Sequence, residues 1–239
     1  MIDLSKTIFI TMDLDWACDE VIEDSLNLID DAGIPVTIFV THQTSLLERM
    51  RKNSLIRLGI HPNFNPLLNN QGDKDYLTVI REIKSLVPEA VSARSHGLVN
   101  STGILQAFQD AGITHDLNLF IPFSPGVNLK PFRHFNGMLR LPYFFEDDVQ
   151  CQLEKRWKSE EHILQSGDGL RIFNFHPIHL FLNSEKLDNY NNAKPFMQDF
   201  DALKQFVNPD PARGTRVFWN HIIRVAKANG FDFAHVEDL

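Results

Sequence analysis

An apolar run, IFI (Ile8–Ile10), leads directly into TMDLDW (Thr11–Trp16). The run has the composition of a buried strand, so Asp13 and Asp15 fall at the C-terminal end of that strand. Because the side chains of a strand alternate between its two faces, we expect both carboxylates to point the same way. Their mutual repulsion would be relieved by a metal ion, an arginine or a shared proton, each typical of a functional site. The alternative is that the two aspartates cap the following helix.

Length and composition indicate a globular α/β protein that does not bind nucleic acid. The 239 residues are 43% hydrophobic, which suits a single domain over residues 1–239, built as one α/β barrel or one large open sheet. A net charge of −8 and the absence of a Lys/Arg cluster offer no surface to a polyanion. Cys18 and Cys151 are too few for a disulfide framework, and no run approaches the roughly 20 apolar residues of a membrane span. The segment Met1–Lys6 leads straight into the first strand, so we expect no signal peptide. We therefore expect a soluble, cytoplasmic protein with no membrane span.

Short β-branched or aromatic runs alternate with longer amphipathic segments, which predicts βα units around a largely parallel sheet. The predicted strands are Thr7–Asp13, Val36–Val40, Leu55–His61, Ala90–Arg94, Ile113–Asp116, Met138–Leu141, Leu170–His176 and Phe231–Val236. The predicted helices are Glu20–Asp31, Tyr76–Val87, Ser101–Ala111 and Thr215–Asn229. Two long loops interrupt the pattern. We expect the first, His61–Asp75, to be functional because it starts at a histidine, and the second, Asn183–Arg213, to be a lid or an ordered surface excursion.

Polar side chains follow five of the predicted strands, at the edge where parallel α/β proteins bind ligands. They are Asp13 and Asp15; His61; Arg94, Ser95 and His96; His115 and Asp116; and His176 and His179. A single histidine at a strand end is usually structural, but five polar strand ends together predict a pocket.

The residue types in this set suit a metal-assisted hydrolysis. Asp15 and His61 have the ligand chemistry of Zn²⁺ or another divalent transition metal. Asp13 would then be free to accept a proton from an attacking water, and Arg94 would keep that carboxylate ionised. His176 could donate a proton to the leaving group.

The order of these motifs resembles that of the polysaccharide deacetylases of carbohydrate esterase family 4. Asp-x-Asp follows the first strand, Gly-x-His the third, an Arg motif the fourth and Phe-His the seventh, and the resemblance covers nearly the whole chain. It implies a distorted, TIM-like (β/α)7 barrel and the metal-dependent removal of an acetyl group from an N-acetyl sugar. The stretches GIHPN (59–63) and FHPIH (175–179) are most similar to a subgroup associated with bacterial surface-polysaccharide (O-antigen) synthesis.

The same resemblance implies a role for each matching residue. Asp13 would be the base, Asp15 and His61 metal ligands, and His176 the acid, while Arg94 would orient Asp13.

The chain departs from the family pattern in the third ligand. The family has a second histidine four residues after the first, where this chain has Asn65, and an amide oxygen is a poor zinc ligand. His96 stands where the family usually has proline, and strand alternation would put it on the same side as Arg94. We favour His96 as the third ligand and leave Asn65 beside the substrate. His179 either contacts substrate or caps its strand.

Three functions are compatible with these residues. The leading hypothesis is a metal-dependent sugar N-deacetylase. The second is a metal-free amide hydrolase in which Asp13, Asp15 and His61 form a proton-transfer network, and the third is a catalytically silent carbohydrate-binding barrel.

The expected partner is an N-acetylated sugar linked to a nucleotide or a lipid carrier. A cleft that binds a polymer would present several aromatic rings to the sugars. Of Trp16, Trp157 and Trp219, only Trp16 adjoins the carboxylates. We expect Trp219 in the core. A diphosphate would need cationic anchors, for which the candidates are Lys130, Arg133 and Arg140, although these are equally compatible with ordinary surface residues.

Overall fold

The strand that leads into the two aspartates lies at the centre of the sheet. The structure is a computed structural model, which describes residues 2–69, 71, 74–124, 126–153 and 167–239. In β1 (Thr7–Asp13) all seven side chains are buried. Parallel strands that are covered on both faces favour continuous apolar runs over alternation, as the sequence of β1 shows. The prediction of this strand is confirmed at both ends.

The described residues form ten strands. The others are β2 (Val36–Val40), β3 (Ile56–Ile60), β4 (Ser92–Ala93), β5 (His115–Asp116), β6 (Phe132–Arg133), β7 (Leu139–Arg140), β8 (Phe145–Glu146), β9 (Ile172–Phe175) and β10 (Asp232–Ala234). They make one sheet in the order β6-β7-β5-β4-β3-β2-β1-β9-β8, and β10 pairs with β1. Every pairing is parallel except that of β6 with β7. The sequence did not predict β6 or β8.

The two edges of the sheet, on the sides of β6 and β8, approach each other, so the sheet curls into a distorted barrel. Tyr143, between β7 and β8, forms a bridge with Phe120. On the same side, the N–H of Leu170 donates to the carbonyl oxygen of Leu129 at 2.7 Å. Gly169 permits this approach, because a Cβ there would lie 3.0 Å from the Leu129 oxygen. The predicted barrel architecture is confirmed, with ladders of only two residues in several of its strands.

Helices connect the strands and cover the outside of the sheet. They are α1 (Asp19–Ala32), α2 (Leu47–Lys52), α3 (Asn65–Leu68), α4 (Tyr76–Leu86), α5 (Thr102–Asp110), α6 (Asp147–Leu153), α7 (Pro177–Leu182), α8 (Leu187–Ala193), α9 (Phe200–Leu203) and α10 (Thr215–Ala228). The four predicted helices correspond to α1, α4, α5 and α10. Among the described residues, no helix combines the length and apolarity that a membrane crossing requires.

Phenylalanines fill much of the core between the sheet and α10. The ring of Phe145 stacks on that of Phe218 with 4.7 Å between centroids. Trp219 is 1% exposed and meets Phe175 edge-on at 5.1 Å, so its predicted core position is confirmed. Trp157 lies outside the described residues. Each such ring contributes about 1.5–3 kcal/mol by its burial.

The long segment after α7 is an ordered excursion, and the side chain of Asn183 bridges its base. Asn183 Nδ2 donates to the carbonyl oxygens of Asn208, Asp210 and Arg213 at 3.0–3.3 Å. Its Oδ1 accepts from the N–H of Arg216 at 3.1 Å, where α10 begins. The excursion carries α8 and α9. Of the two predicted forms, the structure therefore has the ordered one.

Candidate active site

Four predicted side chains come together at the C-terminal ends of β1, β3 and β9. His61 Nε2 lies 3.2 Å from Asp15 Oδ1, and His61 Nδ1 lies 3.6 Å from Asp13 Oδ1. His176 Nε2 lies 3.8 Å from Asp13 Oδ2 and 3.7 Å from Asp15 Oδ2. The structure therefore brings both aspartates to one point, between histidines that follow two other strands.

Asp15 reaches this point through a turn and not through strand alternation. Asp15 and the next residue, Trp16, have φ of 45° and 56°, in the left-handed region that costs non-glycine residues about 1–2 kcal/mol each. The turn is held by side chains, since Thr41 Oγ1 accepts from the Trp16 N–H at 3.2 Å and Gln198 Nε2 donates to the Trp16 oxygen at 2.8 Å. The alternative role as helix caps does not hold, because the N-cap of α1 is Cys18, with no side-chain cap.

His96 also reaches Asp15 through a turn. It begins a short 3₁₀ segment, His96–Leu98, and its N–H donates to the Pro62 oxygen at 3.0 Å. His96 Nδ1 lies 3.2 Å from Asp15 Oδ1. Hydrogen bonding to Asp15 outweighs burial and raises the pKa of His96. The Trp16 ring meets the His96 ring at 5.0 Å, which places Trp16, 36% exposed, on the rim of the site.

Asp15, His61 and His96 fit a divalent transition-metal ion. Each offers one ligand atom, and the three atoms lie within 4.8 Å of one another. His61 is 3% exposed, yet neither of its ring nitrogens has a hydrogen-bond partner. A buried polar group without a partner costs about 1–3 kcal/mol, which coordination of an ion would offset. Nitrogen and carboxylate ligands suit Zn²⁺ and its neighbours in the transition series.

Two further groups of acidic and histidine side chains are close enough to hold an ion: Asp13, Glu146 and His176; and Asp147, Asp148 and His176. They differ from the first group because the shared His176 and the buried carboxyls in them already have hydrogen-bond partners. We interpret them as hydrogen-bond networks. Asn65, the other candidate third ligand, begins α3, where its N–H donates to Asn63 Oδ1 at 2.9 Å.

The candidate base, Asp13, is 1% exposed and held from two directions. Arg94 Nη1 donates to its Oδ1 at 3.0 Å, and Asn174 Nδ2 donates to its Oδ2 at 2.9 Å. Arg94 is fully buried between the rings of Phe39 and Tyr143, at 4.8 and 4.4 Å from their centroids. Burial acts to lower the pKa of Arg94, but the charge of Asp13 raises it on balance. The guanidinium is therefore a permanent cation beside Asp13.

The candidate acid, His176, is paired with a carboxylate that sequence reasoning missed. Its ring Nδ1 lies 2.6 Å from Asp147 Oδ1, and its backbone N–H donates to Asp147 Oδ2 at 2.9 Å. Burial acts to lower the pKa of His176, but Asp147 raises it well above its usual range. The available signal was the stretch YFFEDD (143–148), in which three acids directly follow an aromatic run. This run was predicted to be neither a strand nor a part of the site.

Sequence reasoning also missed Glu146. It is buried on β8, and its Oε2 accepts from the Tyr143 hydroxyl at 3.0 Å. Burial raises the pKa of Glu146 to about 8. The barrel interior therefore contains a second carboxyl, near Asp13, that is mostly neutral at pH 7.

His179 lies inside α7 and does not cap a strand. It is buried, and its Nδ1 lies 3.1 Å from Ser184 Oγ. Its ring contacts Tyr190 of α8, with 4.9 Å between centroids. The excursion thus contributes Tyr190 to the surroundings of His176 and His179.

Several predicted strand-end residues are not part of this cluster. Asp116 accepts from Arg140 Nε and lies 2.8 Å from His134 Nε2 in a separate ion-pair group. His115 Nδ1 lies 2.8 Å from Thr114 Oγ1. Ser95 is buried, and its N–H donates to Asn118 Oδ1. These groups support the strands around the site.

The suggested diphosphate anchors are placed differently from the prediction. Arg140 is buried against Asp116, so it is not available as a surface anchor. Lys130 pairs with Asp168 at 2.5 Å, just before β9 begins, and Arg133 donates to the Gly137 oxygen. The seven residues from 170 to 176 span about 20 Å as a strand, which separates Lys130 from the site at the other end of β9.

Comparison with known proteins agrees with this geometry. A protein from Bordetella bronchiseptica, described as a candidate polysaccharide deacetylase involved in O-antigen biosynthesis, is 37% identical over 92% of this chain and 90% of its own, with a TM-score of 0.86. Peptidoglycan deacetylase PdaC from Bacillus subtilis is 14% identical over 99% and 91% of the two chains, with a TM-score of 0.56. A family 4 acetyl xylan esterase from Clostridium thermocellum, solved with a cobalt ion, is 14% identical over 98% and 89%, with a TM-score of 0.52.

The last two proteins are similar to this chain in fold alone, and the distorted barrel is the fold that this chain shares with them. No curated protein sequence matches the chain. A sequence profile described as WbmS-like polysaccharide deacetylase matches residues 10–194. The profile match and the 37% identical protein together show that the chain belongs to the WbmS-like polysaccharide deacetylase family.

Proposed function

We propose that this protein is a metal-dependent hydrolase that removes the N-acetyl group from a sugar. The observation that carries the proposal is the meeting of three groups within one site. They are a partnerless buried imidazole between two other metal-ligand candidates, a carboxylate fixed by a buried arginine, and a histidine paired with a carboxylate. Each group has a separate task in amide hydrolysis.

Asp15, His61 and His96 would hold the ion. A divalent ion bound there would supply Lewis acidity, which polarises the amide carbonyl and makes water a stronger acid. The residues of the chain do the proton transfers. Asp13 takes the proton of the water whose oxygen bonds to the carbonyl carbon.

His176 completes the reaction. It gives its proton to the amide nitrogen as the C–N bond breaks, so the products are acetate and the amino sugar. Asp147 favours the protonated imidazole in two ways, through its charge and through the contact between its Oδ1 and Nδ1 of the ring. This contact leaves Nε2 directed at the two aspartates and available to the substrate.

We further propose that the substrate is a short N-acetylated sugar on a nucleotide or lipid carrier during assembly of a surface polysaccharide. The Bordetella bronchiseptica relative is described with a role in O-antigen biosynthesis. Trp16 is the one tryptophan placed at the site within the described residues, so support for a long polymer is limited. A cytoplasmic location belongs to the same proposal, and cell fractionation tests it.

Acetate release is the direct test. Zinc-loaded protein is compared on N-acetylhexosamine attached to a nucleotide or polyprenyl carrier and on chitin oligomers, with Asp13→Asn as the control. We expect turnover of the carrier-linked sugar and none in the control. Equal rates in zinc-loaded and chelator-treated protein would instead favour the metal-free amide hydrolase. No release from any N-acetyl sugar would favour the silent carbohydrate-binding barrel.

A further inference from the structure

A second buried carboxyl, Glu146, shares a hydrogen-bond donor with the candidate base. Glu146 of β8 lies opposite Asn174 in the ladder between β8 and β9. Asn174 is fully buried, and its Nδ2 donates both to Asp13 Oδ2 at 2.9 Å and to Glu146 Oε1 at 3.3 Å. One amide group therefore connects the two carboxyls.

The network determines the orientation of this amide. Asn174 Oδ1 accepts from Thr11 Oγ1 at 2.9 Å and from Arg94 Nη1. Donors thus surround the oxygen, while carboxyl oxygens surround the nitrogen, so the reversed amide would oppose like groups on both sides. The NH₂ group can only face Asp13 and Glu146.

The two carboxyls differ in their second partner. Asp13 has the guanidinium of Arg94, whereas Glu146 has the hydroxyl of Tyr143. Burial raises the pKa of Tyr143 well above its usual range, so this partner is a neutral phenol. Negative charge therefore resides on Asp13, and among the described residues a second charge on Glu146 would have no counter-ion in direct contact.

We propose that Asn174 and neutral Glu146 act as a positioning pair for Asp13. While Glu146 is neutral, Asn174 donates its stronger hydrogen bond to Asp13 and fixes the plane of that carboxylate. Ionised Glu146 becomes the better acceptor and draws the amide away from Asp13. The inference rests on the proposed function only in assigning Asp13 as the base.

The groups around Glu146 decide the pH at which it ionises. Its burial, with the charges of Asp148 on α6 and Asp13 on β1, disfavours ionisation. The charges of His176, beyond β9, and Arg94, beyond β4, favour it. Together these effects give Glu146 a pKa of about 8, so it ionises within the pH range of 6 to 10 used below.

The first test is spectroscopic and needs no turnover. The side-chain NH₂ signal of Asn174 is followed by ¹⁵N NMR from pH 6 to 10 and is assigned by its loss in Asn174→Asp. We expect it to shift with a midpoint near 8 in the wild type and to stay flat over that range in Glu146→Gln. A shift that persists in Glu146→Gln, or no shift in the wild type, overturns the inference.

Asp148→Asn provides a second variant that does not alter the buried network itself. Asp148 is half-buried, and its charge raises the pKa of Glu146. The midpoint of the Asn174 signal should therefore move to lower pH in Asp148→Asn. An unchanged midpoint overturns the inference whether or not Glu146→Gln folds. Because the charge of Asp148 also raises the pKa of His176, Glu146→Gln remains the variant that distinguishes these two groups.

The second test is kinetic. If only the neutral form of Glu146 supports catalysis, one ionisation near pH 8 lowers kcat about tenfold at pH 9, with KM unchanged. Glu146→Gln should lose this decrease near pH 8, so that any alkaline decrease that remains is that of the acid, His176. A decrease at the same pH in Glu146→Gln overturns the inference. Absence of acetate release in every form contradicts the proposed function, while the NMR result still decides this inference.

Discussion

At the scale of the residue, His61 is the side chain on which the metal assignment depends. It is buried beside two carboxylates, yet it makes no hydrogen bond with either. The 3.2 Å from its Nε2 to Asp15 Oδ1 is short enough for a hydrogen bond, but the angle is unsuitable, and the 3.6 Å from its Nδ1 to Asp13 Oδ1 is too long. A buried imidazole that makes no hydrogen bond, beside carboxylate oxygens, is an arrangement that a bound ion would complete.

Removal of a ligand should therefore remove the metal. We expect Asp15→Asn and His61→Ala to lose stoichiometric metal with little change of fold, because strand-end polar groups contribute little to core packing. His96→Ala should weaken metal affinity by at least about tenfold, and Asn65→Ala is its matched control. Elemental analysis after dialysis measures the stoichiometry, and competition with a chelator measures the affinity. A larger loss in Asn65→Ala than in His96→Ala would reverse the choice of third ligand.

Removal of the general base, Asp13, should lower turnover and leave the metal bound. Asp13→Asn keeps the ligand set intact but cannot accept a proton, so kcat should fall by about 10²–10⁴ while metal stoichiometry stays at one. His176→Ala should behave in the same way, because it loses the proton donor. The two readouts are the rate of acetate release and the metal content of the same preparation. A near-normal kcat in Asp13→Asn would refute the division of labour between the two aspartates.

At the scale of the element, the excursion between α7 and α10 supports the site from one side. Gln198 donates to the Trp16 oxygen, next to the left-handed turn that contains Asp15. Tyr190 packs on His179, which adjoins His176 at 5.8 Å between ring centroids. The excursion therefore contacts both the metal-ligand turn and the acid.

The base of the excursion should control its stability. Asn183→Gly removes the side chain that joins the two ends but still permits the φ of 47°. Buried carbonyl and N–H groups that lose a partner cost about 1–3 kcal/mol each, so amides of α8 and α9 should exchange faster with deuterium while those of β1 do not. Asn191→Ala, on an exposed position of α8, is the control. Uniform protection in Asn183→Gly would show that packing and the remaining hydrogen bonds, such as that from the Asn208 N–H to the Leu182 oxygen, hold the excursion.

At the scale of the whole molecule, the buried acids make stability depend on pH. The folded-state pKa of Glu146, about 8, is higher than its ordinary value of 4.5, so the folded protein binds this proton more tightly than the unfolded chain. The contribution of protonated Glu146 to the free energy of unfolding is fully present below pH 4.5 and is lost as the pH rises to 8.

Glu146→Gln should remove this dependence. Relative to the wild type, the free energy of unfolding of Glu146→Gln should rise by up to about 1.4 kcal/mol for each pH unit between 4.5 and 8, and the difference should level off above 8. Urea unfolding of both proteins at pH 5, 6, 7 and 8 measures it. A constant difference across this range would show that Glu146 does not titrate there.

The sequence by itself determined the central strand, the four long helices and the cluster of strand-end acids and histidines. These depend on local rules: apolar runs of five to seven residues form buried strands, and amphipathic periodicity predicts helices. The grouping of Asp13, Asp15, His61 and His176 followed from the strand order of parallel folds, in which carboxyl ends of strands meet at one edge.

Only the tertiary structure decided how the side chains in this cluster are partnered. Asp15 and His96 arrive through left-handed and 3₁₀ turns, and such turns depend on contacts with Thr41, Gln198 and Pro62, from distant parts of the chain. Glu146 ends, and Asp147 follows, a two-residue strand that is too short to leave a periodic signal, so the pairing of Asp147 with His176 and of Glu146 with Asn174 could not be read from the sequence. Local patterns decide which residues form an element, whereas partners from distant segments decide what each buried polar group bonds and which carboxyl keeps its charge.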